Sequence, residues 1–111
     1  MSGFPNLFLM LGPNTGTGHT STLLFIEPQV DYAIACLLEL RRSGRRWLDL
    51  RPEVLAAHNQ ALQARLQGSV WSHCRSWYRM ESGKVVALFP GFTREYVESI
   101  ARPDFGDYRF G

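Results

Sequence analysis

Phe4-Pro5-Asn6-Leu7-Phe8-Leu9-Met10-Leu11-Gly12-Pro13-Asn14-Thr15-Gly16-Thr17-Gly18-His19-Thr20-Ser21-Thr22 is the stretch that decides the fold. Leu7 to Leu11 is a continuous apolar run without alternation. Such a run predicts a strand buried on both faces, as in the middle of a mainly parallel sheet. Gly12 to Gly18 reads as a turn, with Pro13 lacking a donor and Gly16 and Gly18 permitting positive φ or close ligand approach. Thr20 or Ser21 is a plausible N-cap for a helix that follows. Strand, glycine turn and helix start together aim unpaired backbone N–H groups at whatever lies above the strand end. The natural occupant is an electron-rich ligand.

Working away from this stretch, Leu23, Ile26, Val30, Ile34, Leu37 and Leu38 recur at three- and four-residue steps. They predict a helix to about Arg42, closed by Gly44. Pro28 lies inside it, deletes one ladder bond and crowds the carbonyl of Leu24, which predicts a kink. Trp47 to Leu50 reads as a short strand. Pro52 opens a second helix with an apolar face of Val54, Leu55, His58, Leu62 and Leu66, ended by Gly68. Lys84 to Phe89 reads as a strand after a turn at Ser82-Gly83, and Pro90-Gly91 stops it. Thr93 is expected to cap a last short helix through Ile100. The tail from Arg102 is expected to be extended.

The 111 residues suffice for one small domain, and 45% hydrophobic against 20% charged residues is ordinary for a globular protein. Net charge is only +2. Arg41, Arg42, Arg45 and Arg46 cluster where a helix ends and cations complement exposed carbonyls. A nucleic-acid face would need more charge spread among exposed aromatics, so no nucleic-acid partner is expected. Cys36 and Cys74 lack CxxC spacing and fit reduced thiols in a cytoplasmic protein. No apolar run approaches the ~18–20 residues of a membrane span, and the N-terminus does not read as a secretory signal. The abrupt entry into the first strand suggests a chain that begins in the middle of a larger fold.

The turn is neither a Walker A loop, since His19 stands where the lysine belongs, nor GxGxxG. A flavin's pyrimidine edge suits its geometry, because reduced flavin carries negative charge there; an ordinary strand-to-helix loop is the alternative. His19 either faces the cofactor side or caps the turn. His58 sits on an apolar helix face, and His73 beside Cys74 has poor spacing for one zinc ion, so no metal is expected. Cys74 lacks a base that would make it a nucleophile. Glu27 reads as a solvated helix residue. Trp71, Cys74, Trp77 and Tyr78 read as a satellite core beneath the second helix, or as lining for an apolar pocket together with Phe89.

Gly3-Phe4-Pro5-Asn6-Leu7-Phe8, Gly12 through His19, and Ile26-Glu27 with Gln29-Val30 resemble the end of the FAD domain in class B flavoprotein monooxygenases. The Baeyer–Villiger monooxygenases are the nearest match, with flavin-containing monooxygenases behind. Trp71, Cys74, Ser76-Trp77-Tyr78, Gly83-Lys84, Pro90-Gly91 and Tyr96 resemble the C-terminal pattern of the ketone-oxidising members. Pro28 departs from the family, which usually has a small helix former there.

The resemblance implies an FAD- and NADPH-dependent oxidoreductase. Such an enzyme forms a C4a-peroxyflavin and inserts one oxygen atom from O2 into a ketone. It implies that Gly12, Pro13, Asn14 and Thr15 form the turn. Thr20, Ser21 and Thr22, beside His19, would then present backbone N–H groups to the flavin. It also implies an α/β fold seen incompletely: one buried strand, two long helices and a small C-terminal β element. Residues 1–44 would be the terminal strand-turn-helix of the FAD-binding domain, and 45–111 the C-terminal helix and aromatic β segment.

Neither dinucleotide fingerprint is present in these 111 residues. The chain alone is therefore expected to be inactive and to hold no catalytic residue. Its expected partners are the remainder of the monooxygenase and a small apolar ketone. An apolar surface along Leu7–Leu11 and the first helix is expected to be exposed, with oligomerisation through it as one outcome. A non-catalytic interaction or scaffold domain that keeps the motif is the alternative.

Overall fold

The first helix, α1, runs Leu23–Ser43 and organises the molecule; the computed structural model describes residues 1–73 and 75–111. Gly44 ends α1 in the left-handed conformation (φ 66°), and its N–H reaches back to the Arg41 and Leu40 carbonyls. This is the stop that a glycine after the last periodic residue predicts. Pro28 lies within the helix without interrupting it. The helix start differs from expectation. Thr22 occupies the cap position, in a helical conformation and without a side-chain cap bond. Ser21 Oγ instead accepts the N–H of Leu23, at 3.3 Å.

The face that α1 buries is Phe25, Gln29, Cys36 and Leu40. The stripe expected to be core is bare: Leu23, Val30, Ile34, Leu37 and Leu38 are exposed, as is Leu24. The helix thus carries two apolar faces, and this chain covers one. A helix apolar nearly all round is the sequence of a fully buried helix.

After Gly44, β1 (Leu48–Leu50) pairs antiparallel with β2 (Tyr108–Phe110), Leu48 opposite Phe110. The tail is therefore a partnered strand, clasped further by Trp47 and Gly111, which exchange backbone bonds of 2.9 and 3.1 Å. The second helix, α2 (Pro52–Gln67), opens on its proline as expected. It buries Leu62 and Leu66, while His58 is exposed, so only its C-terminal half serves a core. The last helix, α3 (Thr93–Ser99), is capped by Phe92, with no side-chain bond; Thr93 is its first residue and not its cap.

Two small cores result. Leu62, Leu66, Val85 and Leu88 pack with Trp71, Tyr78 and Phe89. Cys36, Leu40 and Leu48 pack with Phe8, Tyr32, Phe105, Tyr108 and Phe110. Between them Phe25 stacks on Tyr96 with centroids 4.5 Å apart, and Phe89 meets both rings edge-on. The radius of gyration is 15.0 Å, against the roughly 13 Å of a compact domain of about this length. The elongated shape, 48 × 27 × 19 Å, keeps much apolar surface in contact with solvent.

Two expected strands are absent as regular strands. Leu7–Leu11 is irregular, and Leu7, Leu9, Met10 and Leu11 are each about two-fifths exposed. An apolar strand of this kind needs neighbours on both edges. This stretch finds scattered anchors instead: Asn6 exchanges bonds with Leu48, the Leu11 N–H donates to Gln29, and the backbone turns through positive φ at Asn6 and Leu11. Lys84–Phe89 makes only isolated bridges, Arg79 with Val85 and Gly16 with Leu88. Side-chain amides of Asn14 and Gln63 take the place of ladder partners there. The exposed apolar surface expected along Leu7–Leu11 and α1 is present.

Candidate cofactor-binding turn

Gly12 to Thr15 forms a tight turn closed by Thr15 Oγ1, which donates to the Gly12 carbonyl at 2.6 Å. Its left-handed residue is Asn14 (φ 55°), not a glycine. Asparagine tolerates that conformation better than most residues. The Asn14 N–H donates to Val86 O at 2.9 Å, and Nδ2 donates to Val85 O and Leu88 O at 2.9 and 3.1 Å. Asn14 is only 6% exposed. Its side chain therefore fastens the turn to the 85–88 segment and has no free donor to offer a ligand.

Gly16 and Gly18 do not adopt the positive φ offered as one expectation. Gly16 exchanges backbone bonds with Ala87 and Phe89, and a Cβ there would lie 2.6 Å from the Ala87 carbonyl oxygen. At Gly18 a Cβ would lie 3.0 Å from the Trp71 ring. Both glycines admit the chain's own backbone and indole rather than a positive φ.

Thr17 Oγ1 accepts from the N–H groups of His19 and Thr20, at 3.2 and 2.8 Å, and its hydroxyl donates to Thr20 O. Of the three amides expected to face a ligand, Thr20's is thus engaged. Those of Ser21 and Thr22 have no partner among the described residues, and both residues are exposed. They stand where the helix dipole of α1 is positive. His19 is exposed; its backbone N–H joins the Thr17 turn. With Gly18, Trp71, Phe89, Gly91 and Phe92 it lines a cleft of about 240 Å³. Thr20, Ser21 and Thr22 do not line this cleft but are, like His19, exposed.

Behind the turn lies a polar junction between Gln29 and Tyr96, two residues of the quoted motifs whose meeting the sequence did not predict. Gln29 is buried; its Oε1 accepts the Leu11 N–H at 2.9 Å, and its Nε2 donates to Tyr96 Oη at 2.7 Å. Burial pushes the Tyr96 phenol up, and the bond from Gln29 partly offsets this. Thr20 and Thr93 hydroxyls meet at 3.1 Å, a second tie from the turn to α3. The available signal was Gln29 itself, an amide four residues after Phe25 and seven before Cys36 on the inward face.

Elsewhere the candidates separate. Tyr78 and Trp71 belong to the core around Leu66, whereas Trp77 is 82% exposed. Phe89 borders the His19 cleft. A larger groove of about 520 Å³ runs between Phe8–Pro13, Tyr32, α2 and α3. Cys36 is fully buried, and desolvation pushes its thiol up to about 11, which makes it a poor nucleophile. Cys74 lies outside the described residues. Among the described residues no three His, Cys, Asp or Glu side chains gather as a metal would require. No helix of the described residues is long and apolar enough to cross a membrane.

No family model matches the chain. It is 38% identical over 111 residues to a Baeyer–Villiger monooxygenase of Streptomyces coelicolor, an alignment covering 97% of this chain and 21% of that protein. It is 43% identical over 95 residues to a Baeyer–Villiger monooxygenase of Pseudomonas aeruginosa, covering 83% of this chain and 18% of that one. Among solved structures, an oxidized steroid monooxygenase bound to NADP superposes with a TM-score of 0.82 at 23% identity, over 99% of this chain and 22% of its own. The fold is thus that of a segment of a monooxygenase. The chain spans about a fifth of the length of the curated relatives it matches. Over nearly its whole length it is similar to one segment of these Baeyer–Villiger monooxygenases.

Proposed function

We propose that this chain is the C-terminal, flavin-facing part of an FAD- and NADPH-dependent monooxygenase that inserts one oxygen atom of O2 into a small apolar ketone. The observation that carries the reading is the pair of unengaged, exposed amides, Ser21 and Thr22, just before α1. They fit an electron-rich ring edge: two donors, a positive helix end and no side chain across them. When bound, FAD reduced by NADPH supplies the electrons and the O2 activation.

This chain's residues hold and orient that group. Gly12, Pro13, Asn14 and Thr15 set the turn. Ser21 and Thr22 donate to the ring edge and stabilise electron density there, as preorganised donors do in an oxyanion hole. Thr20 acts through its hydroxyl tie to Thr93, and His19 borders the adjoining cleft. Residues 1–44 close the FAD-binding domain, and 45–111 form the C-terminal helix and aromatic segment beside it. The bare stripe of α1 and the exposed Leu7–Leu11 run pack on the remainder of the enzyme, which supplies the dinucleotide fingerprints. On this reading the enzyme is cytoplasmic, and the chain alone is inactive.

The test replaces the matching segment of the Pseudomonas aeruginosa relative with this chain. The chimera is expected to purify with FAD and to oxidise NADPH in step with ester formation from a ketone. The chain alone is expected to show no saturable FAD binding. A chimera that folds yet takes up no flavin would overturn the reading and favour an interaction domain that only keeps the motif.

A further inference from the structure

We infer that Gln29 is a positioning residue for the flavin-facing turn, acting through the backbone of Leu11; this rests on the functional reading above. Leu11 immediately precedes Gly12 and has φ 51°. That conformation is strained for a residue with a side chain and persists only where surroundings hold it. The holding group is the Gln29 carboxamide. Its Oε1 accepts the Leu11 N–H at 2.9 Å, so its Nε2 must be the atom facing Tyr96 Oη, 2.7 Å away. One buried side chain thus joins the turn, α1 and α3. Gln29 stands two turns into the helix that Ser21 and the cap residue Thr22 lead into. The clamp therefore fixes the entry into the Gly12–Thr15 turn relative to the helix end that offers the donors.

The partners explain why a carboxamide serves here. Leu11 needs an acceptor and the phenol accepts a donor, and both must sit on one planar, dry group. A purely packed side chain would fill the space but leave the Leu11 N–H unpaired. Gln29→Met keeps the volume and loses both bonds. Tyr96→Phe keeps the Leu11 bond and frees the amide to turn. Gln29→Glu keeps both bonds, because the Tyr96 hydroxyl can rotate to donate.

Two measurements test the clamp. In the full 111-residue chain, amide exchange at Leu11 should accelerate at least tenfold in Gln29→Met relative to wild type, and less in Tyr96→Phe. In the flavin-loaded chimera with the Pseudomonas aeruginosa relative, Gln29→Met should bind FAD about tenfold more weakly, about the worth of one lost hydrogen bond. It should also shift the bound flavin's potential to more negative values, with Gln29→Glu restoring both. A role in stability alone would lower the melting temperature and leave the potential of the folded enzyme unmoved, and that result overturns the inference. Unchanged Leu11 exchange in both variants overturns it as well. A wild-type chimera without flavin overturns the functional reading and this inference with it. A loaded wild type with unaffected Gln29→Met overturns this inference alone.

Discussion

Replacing Asn14 should reveal how much of the turn rests on one side chain. Asn14→Ala removes the Nδ2 donor shared between Leu88 O and Val85 O. Leu88 O has no other partner among the described residues and belongs to a buried residue, so its loss costs about 1–3 kcal/mol. Val85 O still accepts from Gln63 Nε2 at 2.9 Å, which limits the loss there to about 0.5–1.5 kcal/mol. Alanine at a φ of 55° adds about 1–2 kcal/mol of backbone strain. The total is about 2.5–6.5 kcal/mol, a large part of the stability of any domain this size. Asn14→Gly loses the same bonds without the strain and should be milder than alanine by about 1–2 kcal/mol. Asn14→Asp has nearly the same shape but sets acceptors against two carbonyls, so it should be the worst of the three. Urea unfolding followed by circular dichroism gives the order directly. An aspartate variant as stable as the alanine variant, or a glycine variant no better than alanine, would refute the hydrogen-bond assignment.

Three further outcomes are expected. Thr22→Pro should leave the chain's melting behaviour within about 1 kcal/mol of wild type, because the cap has φ −61° and its N–H is unengaged. In the loaded chimera the same change should weaken FAD roughly tenfold, by loss of a donor to a charged edge, whereas Thr22→Ala should not; titration of both variants decides. Gly16→Ala should unfold the turn, since the added Cβ meets the Ala87 carbonyl, a backbone atom that cannot step aside; loss of near-ultraviolet dichroism from Trp71 reports it. Alkaline pH should destabilise the chain. The Cys36 thiol has an ordinary value of 9.0 and stays protonated to about 11 when folded, so the unfolded state releases a proton that the folded state keeps. Stability then falls as pH rises between those values, and the buried Tyr96 and half-buried Tyr32 and Tyr108 phenols, also pushed up, extend the decline. In Cys36→Ala the fall should begin later in a pH series of unfolding curves.

Local signals carried far. Gly44 and Pro52 marked helix ends because their constraints act on the residue itself, whatever surrounds it. The extent of α1 and the glycine turn before it were legible for the same reason; of the three free amides expected at Thr20, Ser21 and Thr22, that of Thr20 is taken by Thr17 Oγ1. The resemblance to ketone-oxidising flavoproteins rested on the same short motifs.

What needed the three-dimensional arrangement was everything that depends on a partner distant in sequence. Leu7–Leu11 has strand composition, yet a strand exists only where neighbours accept its bonds, and here the run stays irregular and half bare. Two apolar stripes on α1 look alike in sequence; contact with Leu48 and Tyr96 decided which one this chain buries. Asn14 and Gln29 read as a turn residue and a helix residue. Their work lies with Leu88, Val85, Leu11 and Tyr96, eighteen to seventy-four positions away, and side-chain hydrogen bonds across such separations leave no period in the chain.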